Sequence, residues 1–154
     1  MAQLATLCYI KANQQTLMLH RVKKKGDYHQ GKWNGLGGKF EPGETPEECV
    51  IREVLEESGL EIQEPALKGI LTFPMFDGVK DWVVFVFVAG KFSGEIKSSP
   101  EGELKWIQDP DLAALNMWEG DQIFLSWLEG NHFFSGKFVY EKGQFISHEV
   151  VFYD

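Results

Sequence analysis

A chain of 154 residues, 44% hydrophobic and 25% charged, reads as one domain (1–154) long enough to bury roughly two thirds of its unfolded surface, which excludes a disordered or fibrous protein. Its formal net charge of −8 argues against binding long nucleic acid, and two cysteines, Cys8 and Cys49, argue against a disulfide framework and for a reducing cytoplasm. No basic start precedes an apolar run and no apolar run is long enough to span a membrane, so a cytoplasmic protein without a membrane partner is expected; oligomeric state is not readable.

In chain order, Leu4–Ile10 and Thr16–His20 are short apolar runs around Asn13-Gln14-Gln15, which predicts a hairpin. Gly26–Lys32 is polar and turn-rich and predicts a loop. Lys23, Lys24 and Lys25 before it, with Lys32 and Lys39 flanking the Gly-rich stretch that follows, are local cations suited to phosphate; a solvated loop is the alternative for the first three. Glu41-Pro42-Gly43-Glu44 is turn chemistry, and Thr45-Pro46-Glu47-Glu48 is a capping box with proline at the first helical position. A helix over about 45–58 follows, closed by Gly59, with Val50, Ile51, Val54 and Leu55 as its buried stripe. Leu67–Phe73 and Trp82–Ala89 read as strands, the second apolar throughout and therefore central. Leu104–Ile107 is a short strand, Asp109-Pro110 opens a helical turn, and Gly120–Leu128 predicts a second helix with Ile123, Phe124 and Trp127 inward. The tail Phe133–Tyr153 alternates around Glu141-Lys142-Gly143-Gln144 as a closing hairpin. Strands and two or three helices in mixed order predict an α/β or α+β sandwich.

The predicted first helix carries the chemistry. Spacings of three and four place Glu53, Glu56 and Glu57 on one side of it, beside Arg52. Three crowded carboxylates repel unless a cation sits among them, and hard oxygen donors in that number favour Mg²⁺ or Mn²⁺. Such a cation grips phosphate oxygens. One of the three acids instead orients or deprotonates an attacking water.

Gly38, Glu44, Arg52, Glu53, Val54, Glu56, Glu57, Gly59 and Leu60 match, position for position, the signature of the Nudix hydrolases, which the chain therefore resembles. The resemblance implies an α/β/α sandwich around a mixed sheet, with the catalytic helix at about 45–58. It implies divalent cations held by Glu53, Glu56 and Glu57 with the Gly38 carbonyl, and Glu44 bracing the loop through Arg52. It also implies an extra acid before the later strand, Glu101, with Glu103 competing for the role. The reaction implied is attack of water on a diphosphate linkage.

The flanks address the substrate. Asn34 offers donor and acceptor to a purine edge, Trp118 is able to stack on a base, and Asp121 to accept from ring or exocyclic N–H groups; packing of Trp118 and helix capping by Asp121 are the alternatives. Trp33-Asn34-Gly35, Gly37-Gly38-Lys39, Met117-Trp118 and the tail around Phe134 resemble the oxidised-purine nucleoside triphosphatases of the MutT and 8-oxo-dGTP diphosphatase kind. In that group positions matching Asn34 and Asp121 read the purine, Trp118 and Tyr28 cover its faces, and Thr6 lines the pocket. The implied role is nucleotide-pool sanitising in DNA repair, with a small nucleoside triphosphate as partner. One departure is that vertebrate members carry two adjacent acids where this chain has Gly120-Asp121. Alternatives are an RNA 5′-end pyrophosphohydrolase, a nucleotide-sugar or dinucleoside polyphosphate hydrolase, and a non-catalytic nucleotide-binding module.

Overall fold

The computed structural model describes residues 1–23 and 29–154. Asn13 and Gln14 both take positive φ (52° and 61°), the twist that a tight two-residue hairpin needs, and they fold β1 (Gln3–Ala12) onto β2 (Gln15–His20). The later hairpin, β9 (Phe133–Glu141) and β10 (Gln144–Tyr153), turns in the same way at Lys142 and Gly143. Between them lie β3 (Trp33–Asn34), α1 (Pro46–Ser58), β4 (Glu61–Gln63), β5 (Ala66–Phe73), β6 (Trp82–Ala89), β7 (Lys91–Ser93), β8 (Glu103–Gln108) and α2 (Glu119–Leu125). Short 3₁₀ helices occupy Asp109–Ala114 and Ser126–Glu129.

The large sheet runs β10-β9-β5-β6-β1-β2-β3, with β8 also on β2. It is mixed: β1 lies parallel to β6 and β5 parallel to β9, and the other pairs are antiparallel. Apolar β6 is central, as predicted, between β5 and β1. Alternation along β1 sends Cys8 and Ile10 to one face and Tyr9 to the other. The first face packs with Leu17, Phe87, Val50 and Val54 beneath α1. The second packs with Val86, Phe134, Phe138 and Phe124 beneath α2. This is the expected α/β/α sandwich. Among the described residues no helix is long and apolar enough to cross a membrane.

α1 starts where the capping box puts it. The Thr45 hydroxyl accepts the Glu48 N–H at 3.1 Å, and the Glu48 carboxylate accepts the Thr45 N–H at 2.9 Å. Gly59 closes it at φ 82°. Its buried arc differs from the predicted stripe. Leu55 is 48% exposed, because it lies ~100° past Val54 and beyond the edge of the contact. Glu57 is instead buried, seven residues from Val50 and therefore ~20° from it around the axis. One acid thus enters the packed side of the helix. The expected second helix is shorter, since α2 tightens to a 3₁₀ turn at Ser126. The two-residue β3 and the small β4–β7 sheet were not predicted.

Candidate active site

The segment from Trp33 to Lys39 lies against β1 through bridges Cys8–Leu36 and Ala5–Lys39. Two glycines make that approach possible. A Cβ on Gly37, whose φ is 146°, would stand 2.1 Å from the Thr6 carbonyl oxygen; one on Gly38 would stand 2.5 Å from the Glu53 carboxylate. The turn aims the Gly37 N–H at Glu57 Oε1, 2.7 Å away. The backbone here therefore seats two acids of α1.

Arg52 organises the rest. Its Nε and Nη2 donate to the two oxygens of Glu44 at 2.7 and 2.9 Å, a bidentate pair, and Nη2 also donates to the Lys39 carbonyl at 3.0 Å. Nη1 donates to Glu53 at 2.9 Å and to Glu56 at 3.2 Å. Arg52, helped by the Glu41 N–H, holds the Glu44 carboxyl down at about 2. Burial pushes Glu57 well above the usual carboxylate range; the Gly37 N–H opposes this and neighbouring Glu101 and Glu53 add to it. Burial also raises Glu53, against Arg52 and with Glu56 and Glu101. Glu101 pairs with Arg21 at 3.2 Å.

Among the described residues no three acids form a finished coordination shell; Arg52 draws Glu53 and Glu56 toward itself. The donor set nevertheless fits a hard divalent cation. Glu53 feels the charges of Glu56 and Glu101, Glu57 feels those of Glu101 and Glu53, and burial and crowding push Glu53 and Glu57 toward neutrality, which a cation would offset.

Glu53 and Glu101 open onto a cavity of about 580 Å³. Gly37, Gly38, Arg21 and Lys39 line it beside them, and the rest is mainly apolar: Leu7, Phe73, Phe76, Val84, Trp118 and Tyr140, with Asn34, His29 and Asp121 among them. Asp121 is only 8% exposed, and none of the described hydrogen bonds engages its carboxyl. Burial raises that carboxyl to about 7, opposed by Lys32. Gly120 is compelled by its neighbours. Tyr140 Oη accepts its N–H at 2.7 Å, and a Cβ there would stand 2.7 Å from Phe138 and 2.8 Å from Tyr140 Oη.

The structure brings Asn34, Thr6, Lys39, Trp118 and Asp121 to this one cavity. Asp121 sits at the third position of α2 and does not cap it. The Thr6 hydroxyl is turned to the Gly38 carbonyl and Cys49, at 3.4 and 3.5 Å, while Ala5 and Leu7 line the cavity from the opposite face of β1. Two of the expected residues make other contacts, and the choice between two acids narrows to the one expected. The Gly38 carbonyl, expected as a cation ligand, accepts the Thr6 N–H at 2.9 Å and lies 3.6 Å from Cys49 Sγ, so it also takes part in strand pairing. Lys23 donates to the Ser99 carbonyl at 3.1 Å and does not line the cavity. Of the two acids competing as the extra ligand, Glu101 faces the cavity and Glu103 is exposed on β8. Tyr28 lies outside the described residues. Sequence reasoning missed His29, Phe73, Phe76, Trp82 and Tyr140 as lining residues. The signal for Phe73, Phe76 and Trp82 was an aromatic-rich connection between two adjacent strands.

A NUDIX domain model matches residues 1–128. An uncharacterized Nudix hydrolase of Bacillus subtilis, YvcI, is 36% identical over 143 residues, 90% of this chain and 87% of that one. An oxidized purine nucleoside triphosphate hydrolase of Danio rerio is 32% identical over 130 residues, 84% of this chain and 80% of that one. The crystal structure of a mutator MutT protein from Bacillus halodurans superposes with a TM-score of 0.86 at 34% identity, covering 96% of this chain and 97% of that one.

Proposed function

The chain belongs to the Nudix hydrolase family as a pyrophosphohydrolase, and we propose that it hydrolyses oxidised purine nucleoside triphosphates, 8-oxo-dGTP first, to the monophosphate and pyrophosphate. The observation that carries this reading is Asp121. A buried carboxyl that none of the described hydrogen bonds engages, beside Asn34 and Trp118 in the cavity that the acids share, is placed to take a donor from the ligand. The Watson–Crick edge of a guanine-type base carries two such donors on adjacent nitrogens. Asn34 supplies a second two-way contact to the base, and Trp118 a stacking surface.

Glu53, Glu56, Glu57 and Glu101 would hold Mg²⁺, or Mn²⁺ in its place. Bound there, the cation supplies charge neutralisation at phosphate oxygens and acidifies water. The chain's own residues do the rest. Arg52 fixes Glu53 and Glu56 from one side and the Glu44 turn from the other. A carboxylate of the set accepts the proton of the attacking water. Lys39, its ammonium 5.5 Å from the Trp82 ring centroid, brings positive charge to the cavity wall. The role is nucleotide-pool sanitising.

Turnover of 8-oxo-dGTP against dGTP at equal Mg²⁺ tests the reading. A clear preference for the oxidised nucleotide is expected, and a ratio of kcat/KM values near one would remove the sanitising role.

A further inference from the structure

We propose that His29 is a positioning residue for base recognition: through its ring nitrogen it sets the tilt of Trp118, and so fixes how tightly the purine is held. The proposal rests on the reading of the cavity as a base pocket.

Among the described residues, the rings of Phe76, Tyr140 and His29 meet the Trp118 indole edge-on. Phe76 lies at 5.2 Å with an interplanar angle of 73°, Tyr140 at 5.5 Å and 85°, and His29 at 5.7 Å and 87°. Such contacts restrain a ring's place but leave its rotation soft, because edge-on attraction is shallow in angle. A hydrogen bond is directional. Trp118 Nε1 donates to His29 Nδ1 at 2.7 Å, a short bond that locks the indole plane. His29 is itself held: its ring stacks on Phe76 at 6.1 Å and 14°. The backbone after it is clamped to the Trp118 segment through Asn116, whose Nδ2 donates to the Gly31 carbonyl at 3.0 Å. The Asn116 carbonyl in turn accepts the Trp33 N–H at 2.9 Å. Histidine and tryptophan are thus fixed to one another across 89 residues of sequence. His29 also lines the cavity, so the brace stands at the site and not behind it.

The test is a cycle of steady-state kinetics on 8-oxo-dGTP and dGTP with His29→Leu and His29→Asn, each in the parent and in Trp118→Phe. Asn offers Oδ1 about where His offers Nδ1, and Leu offers no acceptor. Loss of one neutral hydrogen bond is expected to raise KM about three- to tenfold in His29→Leu, with kcat held within about twofold. His29→Asn should stay close to the parent. In Trp118→Phe, which has no N–H to donate, His29→Leu should add nothing. An unchanged KM in His29→Leu overturns the proposal. So does equal impairment by Leu and Asn, or a Leu penalty that persists in Trp118→Phe. Failure of the substrate reading is separate: a parent with no preference for 8-oxo-dGTP loses that substrate, while the His29 cycle is still read on dGTP. Should neither be hydrolysed, the same cycle is read on binding of 8-oxo-dGMP and dGMP by tryptophan quenching, where equal affinity of all variants overturns it.

Discussion

A carboxyl at 8% exposure that none of the described hydrogen bonds engages is costly to keep, and Asp121 is that residue. Its pH dependence follows with a definite sign. The folded protein holds the Asp121 proton up to about 7, whereas the ordinary value is 3.8. Between those values the folded state binds more protons than the unfolded one, so this group's contribution to stability falls as pH rises through the interval and stays low above it. Asp121→Asn removes the titration. Its unfolding free energy is expected to gain on the parent's from pH 5 to pH 8, by on the order of 2–4 kcal/mol and with a matching rise in relative melting point, while kcat/KM for 8-oxo-dGTP collapses. Parallel melting curves for the two proteins at both pH values would refute the assignment. In the parent, kcat/KM for a guanine-type base should fall as pH drops below about 7, because a protonated Asp121 loses acceptor capacity. Asp121 was legible in the sequence because an acid follows Met117-Trp118-Glu119-Gly120 at the start of a helical pattern. His29 was not, since a single histidine in a polar loop has no period to betray its partner 89 residues away.

At the scale of elements, α1 was readable to within a residue at both ends because capping is local chemistry: Thr45, Glu48 and Gly59 each act within one turn. The burial of Glu57 was not readable, because the backbone that satisfies it, Gly37, arrives from 20 residues upstream. Strands of two or three residues such as β3, β4 and β7 are too short to show alternation. The glycine pair has the clearest consequence. Gly37 combines a positive φ with a carbonyl 2.1 Å from its absent Cβ, so Gly37→Ala must push the segment off β1. A loss on the order of 3 kcal/mol is expected, or roughly 6–12 °C in melting temperature for a chain of this length. Gly90, with no atom within 4 Å of its Cβ position, serves as the control and should shift little when changed to alanine. Equal melting points for the two variants would mean that the segment does not depend on that contact.

Across the whole molecule the sheet separates two kinds of work. The face beneath α1 carries the acids and Arg52; the face beneath α2 carries Trp118, Asp121 and Tyr140. The strand face and the Gly37–Gly38 turn are shared, since one cavity is lined from both groups. Cation binding and base binding should therefore be separable by substitution. Mg²⁺ that binds only the folded chain raises its stability by about 2.7 kcal/mol at a hundredfold excess over Kd, or roughly 5–10 °C here. Glu56 is the informative acid, because its side chain is 57% exposed and the fold does not lean on it. Glu56→Gln should abolish hydrolysis and much reduce the Mg²⁺ shift, with a melting point in EDTA within about 2 °C of the parent's. Trp118→Phe should behave oppositely, keeping the full Mg²⁺ shift while KM for the nucleotide rises. Scanning calorimetry with and without Mg²⁺, run beside the kinetics, reads both effects. A Mg²⁺ shift undiminished in Glu56→Gln would move the cation off this helix, and one lost in Trp118→Phe would show that the two faces are not independent.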